Sequence, residues 1–73
     1  MKFDMNINDD VGIFKAPEGE IRVYVDKIDE YEFEVRIGTI DSSQVAGSFS
    51  AANNQELNQN LAKIYDNFIN SIN

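Results

Sequence analysis

Residues 18 to 37 read Glu-Gly-Glu-Ile-Arg-Val-Tyr-Val-Asp-Lys-Ile-Asp-Glu-Tyr-Glu-Phe-Glu-Val-Arg-Ile. Apolar and charged residues alternate through two strand lengths. A period of two marks a half-buried sheet with one wet face. Glu18, Glu20, Asp26, Asp29, Glu30, Glu32 and Glu34 outnumber Arg22, Lys27 and Arg36, so the wet face is acidic.

Upstream, Ala16-Pro17-Glu18-Gly19-Glu20 suits a three-residue hairpin loop, a type I turn followed by a left-handed Gly19. Closing it with Ala16 opposite Glu20 predicts Ile13 opposite Val23 and Val11 opposite Val25 on the core side. Phe14 then falls beside Arg22, and Gly12 beside Tyr24, on the outer face. Within residues 18 to 37, charge selects a register. Val25 opposite Tyr31, Val23 opposite Phe33 and Ile21 opposite Val35 pairs Arg22 with Glu34 and Glu20 with Arg36. A slide of two residues either way sets like charges opposite each other, which destabilises. The connecting loop is then about Asp26 to Glu30.

Beyond Ile37 the alternation fails at Gly38-Thr39-Ile40, and Asp41-Ser42-Ser43-Gln44 supplies turn residues. Val45, Gly47, Phe49 and Ala51 resume the period of two. Phe3, Met5 and Ile7 also alternate with polar residues and suggest a leading strand. Asn53 opens a helix as its cap, with Glu56 completing a variant of the capping box. Leu57, Leu61, Ile64, Tyr65, Phe68, Ile69 and Ile72 form its apolar stripe. Asn58, Gln59, Asn60, Lys63, Asp66, Asn67 and Asn70 lie on a polar, mostly uncharged face read as solvent contact. Asn is a poor helix former, so docking to the sheet must hold this helix. The expected fold is α+β: an antiparallel four- to five-stranded meander sheet over about residues 1–51, with one C-terminal helix, about 54–72, packed across one face. Residues 1–73 form a single domain.

Composition narrows the chemistry. The chain has neither Cys nor His. A disulfide, a thiolate nucleophile and the commonest general base are therefore unavailable. No Gly-rich loop cradles a phosphate, and Asp26-Lys27-Ile28-Asp29-Glu30 lacks the ligand spacing of a calcium loop. The expectation is a protein that is not an enzyme and carries no cofactor or metal. A net charge of −7 disfavours nucleic-acid backbones and anionic membranes and favours basic partners. No run resembles a signal peptide or a membrane span, which points to a cytoplasmic protein. Abundant Asn and Ile fit the AT-rich coding DNA of a low-GC bacterium or its phage.

Three surfaces are candidates for partner binding. Asp26, Asp29, Glu30 and Glu32 cluster at one end of the second hairpin, and Asp9 and Asp10 join them if alternate turns of the meander share an end. Phe14 and Tyr24 lie together on the outer face in the register above. Solvated turns are the plain account of the two acidic clusters, and covered rings that of Phe14 and Tyr24. The functional account is a binding module whose acidic rim and outer face dock on a basic, nucleic-acid-binding surface of a target protein. In size, acidity, lack of Cys and coarse α+β build, though in no motif, the chain is similar to the DNA-mimic inhibitors that phages use against restriction or CRISPR enzymes. The alternative is an assembly module that oligomerises through the open sheet face. A third reading has Phe14 and Tyr24 stacking single-stranded nucleic acid.

Overall fold

Strands β1 (Val11–Lys15), β2 (Arg22–Asp29), β3 (Glu32–Gly38) and β4 (Ser43–Ser50) pair antiparallel in chain order, and helix α1 (Asn54–Ile72) follows. This is the α+β meander with a C-terminal helix that the alternation and the apolar stripe predict. The computed structural model describes residues 1–17 and 19–72, without the side chain of Ile72. The roles expected of Glu18 and of the Ile72 side chain lie outside the described residues. Among those residues no helix is long and apolar enough to cross a membrane.

Both hairpin registers differ from the sequence reading. In the first, Ile13 lies opposite Tyr24 and Phe14 opposite Val23. The loop closes at Ala16, whose N–H donates to the Ile21 carbonyl at 2.9 Å, so it is one residue longer than expected. Gly19 does take the left-handed conformation, with φ of 71°. One extra loop residue flips every side chain of β1. Val11 and Ile13 therefore point outward, and Phe14 turns toward the core.

In the second hairpin Val25 lies opposite Val35 and Val23 opposite Ile37. The expected pairs Arg22–Glu34 and Glu20–Arg36 do not form. Asp26 to Asp29 is strand rather than loop, and the turn is only Glu30-Tyr31. Tyr31, expected opposite Val25, sits at this tip and is 53% exposed. No residue but Gly19 has a positive φ among the described residues, so the turn is not one of the primed types that suit a two-residue hairpin. A bulge between Lys27 and Asp29 takes up the mismatch. The shift of four residues keeps the same side chains inward, and Phe33, Val35 and Ile37 are fully buried. What it adds is paired backbone: β2 runs on to Asp29 and β3 starts at Glu32, where the expected register leaves a five-residue loop.

A second bulge falls at Ala46, between Val35–Gly47 and Arg36–Val45. It leaves Gly47, Phe49 and Ala51 on the core side and turns Val45 outward. At the start of the β3–β4 loop, a Cβ on Gly38 would collide with the Ser42 carbonyl, so this tight approach needs glycine. Asn53 caps α1 as expected: the Glu56 N–H donates to Asn53 Oδ1 at 2.9 Å, and the Asn53 amide donates back to Glu56 Oε1 at 3.2 Å.

A helix is roughly 10 Å wide, whereas four strands span roughly 15–19 Å. One helix therefore cannot cover this sheet. Helix α1 packs on β3 and β4, burying Leu57 and Leu61 against Phe33 and Ile37. The other half is covered by residues 1–8, which form no strand. This segment runs along α1 and buries Phe3 and Met5. The Phe3 ring meets Phe14 edge-on at 5.0 Å and Tyr65 at 6.0 Å.

The helix supplies the hydrogen bonds that a neighbouring strand would otherwise give. Asn58 Oδ1 accepts from the Met5 N–H at 2.8 Å, and its amide donates to the Met5 carbonyl at 2.9 Å. Asn54 Oδ1 accepts from the Ile7 N–H at 2.7 Å. Asn58, expected as a solvent contact, is thus an internal connector, and the exposed Asn54 assists it from the first turn.

Candidate functional site

The face of the sheet opposite the helix carries no covering element. The registers organise it into rows that run across the strands. The central row is Ile13–Tyr24–Arg36–Val45. On one side lies Val11–Asp26–Glu34–Ser48, and on the other Lys15–Arg22–Gly38–Ser43. Apolar and aromatic groups thus hold the middle, with acid toward one end of the strands and base toward the other.

The central row is an unusual place for aliphatic side chains. Val11, Ile13 and Val45 are 57%, 63% and 61% exposed. Tyr24 is half-buried among them, with the Arg36 guanidinium 5.8 Å from its ring centre. Arg36 also donates from Nη2 to Asp26 Oδ2 at 3.0 Å. Both partners are partly exposed, so this ion pair contributes at most about 1 kcal/mol. Its larger effect is on charge, since it neutralises Asp26. The Arg36 Nε is buried without a hydrogen-bond partner among the described residues. Beside it, Tyr24, Arg36, Thr39, Ile40 and Ser43 line an open depression of about 350 Å³.

The acidic end gathers most of the residues predicted from sequence. Asp9 and Asp10 do come to the same end as the second hairpin, because the Lys27 N–H donates to the Asp10 carbonyl at 2.8 Å. Asp9 closes a tight turn in which the Asn6 N–H donates to its Oδ2. Asp29, Glu30 and Glu32 surround the β2–β3 turn and are exposed. Lys27, the base nearest that turn in sequence, does not balance them. The Lys27 side chain follows Val23 and Val25 onto the helix side, lies over the Phe33 ring and donates from Nζ to the Ile7 carbonyl at 3.2 Å. Among the described residues no three of these carboxylates converge closely enough to hold a metal ion. The acids form a diffuse field rather than a chelating pocket.

Two candidates change status. Asp26 lies within β2 and belongs to the ion pair, not to the turn. Phe14 is not on the outer face. It is half-buried against Phe3 on the helix side, so Phe14 and Tyr24 lie on opposite faces and form no stacking platform. The sequence reading placed Glu34 on the outer face but missed Val11, Ile13 and Val45 there. In β1 the signal was degenerate, because Val11-Gly12-Ile13-Phe14 is apolar on both alternations, and Val45 is turned outward by the bulge at Ala46.

An open site of about 360 Å³ lies at the opposite end, between Phe68 of α1 and the loop after β3. Ile21, Ile37, Thr39, Ser42 and Gln44 also line it, and it contains no titratable side chain. It offers shape without an acid, a base or a nucleophile stronger than a serine hydroxyl. The chain matches no protein-family model, no curated protein and no solved structure.

Proposed function

We propose that this chain is a non-enzymatic binding protein whose acidic sheet end docks on a basic surface of a target protein. The observation that carries the reading is the disposition of charge around the second hairpin. Asp9, Asp10, Asp29, Glu30 and Glu32 are brought to one end, while Lys27 is turned inward onto the Ile7 carbonyl. The acids there keep their full field. Complementary potentials steer encounter and select partners, and they are felt over roughly 8–10 Å at physiological salt.

A protein surface basic enough to pair with this end is commonly one that binds nucleic acid. Occupying it would exclude the nucleic acid, so the activity we infer is inhibition of a nucleic-acid-handling protein. This is the manner of DNA mimics used by phages against restriction or CRISPR enzymes, and it fits a cytoplasmic setting. Duplex DNA carries one charge per roughly 1.7 Å of axis, so one chain imitates only a short stretch.

The test compares the protein with a variant carrying Asp10→Asn, Asp29→Asn, Glu30→Gln and Glu32→Gln. These side chains are exposed, so the variant should melt close to the parent. Immobilised parent protein is expected to retain a nucleic-acid-binding protein that duplex DNA displaces and that the variant fails to retain. Equal retention by parent and variant would sink the mechanism.

A further inference from the structure

We infer that the open sheet face is the interface of a two-fold dimer, formed with a second copy of this chain whose strands run in the opposite direction. The inference goes beyond the acidic-end reading and does not depend on it. It rests on the three rows of the outer face, which are complementary to themselves under one rotation only.

A two-fold axis lying in the interface can run along the strands or across them. Along the strands, acid would meet acid, since each end of the face would lie over its own kind. Across the strands, along the row Ile13–Tyr24–Arg36–Val45, the rotation exchanges the two ends. The apolar row then lies over itself. Asp26 of one copy falls over Arg22 of the other. Glu34 falls beside Arg22, at Gly38, whose outer side is closed by the Ser42 backbone rather than by a side chain. Within its own chain Glu34 gains nothing comparable: it stands directly opposite Asp26, a like charge, and opposite Ser48. Arg36 meets its own symmetry mate near the axis. Each is already balanced by its own Asp26 and held beside Tyr24, so this contact is not between bare charges.

The face also has the composition of an interface centre. Val11, Ile13 and Val45 are each more than half exposed in the single chain, and Tyr24 and Arg36 are residue types that anchor interfaces. Two twisted sheets stacked this way make an aligned sandwich with sheets about 10 Å apart. Four strands by three rows of outer-face residues give a footprint of roughly 400 Å². That is below the ~800 Å² per partner of a standard stable interface, so the dimer should be weak and concentration-dependent. Its two acidic ends point in opposite directions, leaving Asp29, Glu30 and Glu32 of each copy near the outside.

Sedimentation equilibrium over micromolar to about millimolar protein tests the inference. The parent should pass from monomer to dimer across this range. Ile13→Asp should be monomeric throughout, with the circular dichroism spectrum of the parent, because Ile13 is 63% exposed in the single chain. Arg22→Glu alone and Glu34→Arg alone should each weaken the dimer by about tenfold or more. The double variant Arg22→Glu/Glu34→Arg should recover part of that loss, since the swapped charges at positions 22 and 34 meet again across the axis while Asp26 then lies over an acid. A parent that stays monomeric up to about 1 mM overturns the inference. So does a dimer that survives Ile13→Asp, which would place the interface on a free sheet edge or elsewhere. A double variant no stronger than the single ones refutes the antiparallel arrangement.

Discussion

The two halves of the sheet are covered in different ways. Over β3 and β4 lies α1, whose backbone satisfies its own hydrogen bonds, so only apolar side chains need to meet the sheet. Phe33, Ile37, Leu57 and Leu61 are fully buried there. Over β1 and β2 lies an extended segment with no ladder of its own. It buries Phe3 and Met5 but must borrow partners for its backbone from Asn54, Asn58 and Lys27. A buried backbone group left unpaired costs free energy comparable to a lost hydrogen bond. The first cover is held by burial alone, and the second by burial plus a few specific polar contacts. A small domain can therefore cover a four-stranded sheet with one helix, provided that the helix carries the right amides on its flank.

The largest effect is expected where the helix half is broken. Leu61→Ala empties a fully buried site and should cost about 2–5 kcal/mol, read from the midpoint of urea unfolding. In a domain this small that is a large share of the total, and the whole chain should unfold as a unit. A loss below 1 kcal/mol would mean that the helix half is not the dominant core.

Asn58→Ala probes the other half. It removes both hydrogen bonds to Met5 and should cost about 1–3 kcal/mol. Native-state hydrogen exchange separates the two covers. The Met5 and Ile7 amides should exchange much faster in this variant, while amides in the middle of α1 keep most of their protection. If all amides lose protection equally, the segment is not a separate unit and the contrast between the halves fails.

The smallest effect is expected at Gly12, where the segment crosses β1. A Cβ there would lie 2.9 Å from Met5 Sδ and 3.1 Å from the Phe14 ring. Methionine is flexible and can give way, so Gly12→Ala should cost only about 1 kcal/mol in the same urea titration. A neutral result would show that the segment is seated more loosely than its buried side chains suggest.

Local chemistry was the legible part of this chain. The asparagine cap, the apolar stripe of α1, the left-handed Gly19 and the end of the meander before the helix all follow from signals within a few residues of each other. The registers did not. In β1 both alternations are apolar, so nothing inside Val11–Lys15 says whether Ile13 or Phe14 faces the core. That choice is made by Phe3, which packs on Phe14 from a segment whose own alternation suggests a strand. In the second hairpin the charge pattern discriminates slides of two residues, whereas the actual pairing lies four away and depends on a bulge. The candidate site inherited both outcomes. Its acidic end was readable, because it needs only the sharing of an end by alternate turns. Its apolar row was not, because it depends on which way β1 is turned.

The two amides that hold Met5 and Ile7 also impose an order on biosynthesis. Asn58 is 53 residues later in the chain than Met5, and Asn54 is 47 later than Ile7. The hairpins pair near neighbours and can form as soon as they leave the ribosome, whereas the leading segment must wait for the helix that receives it. Until then Phe3, Met5 and Phe14 remain available to other chains, and contacts this distant in sequence are the slow ones to close. Translation that pauses before Asn54 should leave a nascent chain that holds its hairpins, sticks to chaperones through its own beginning, and lets go only when the helix is complete.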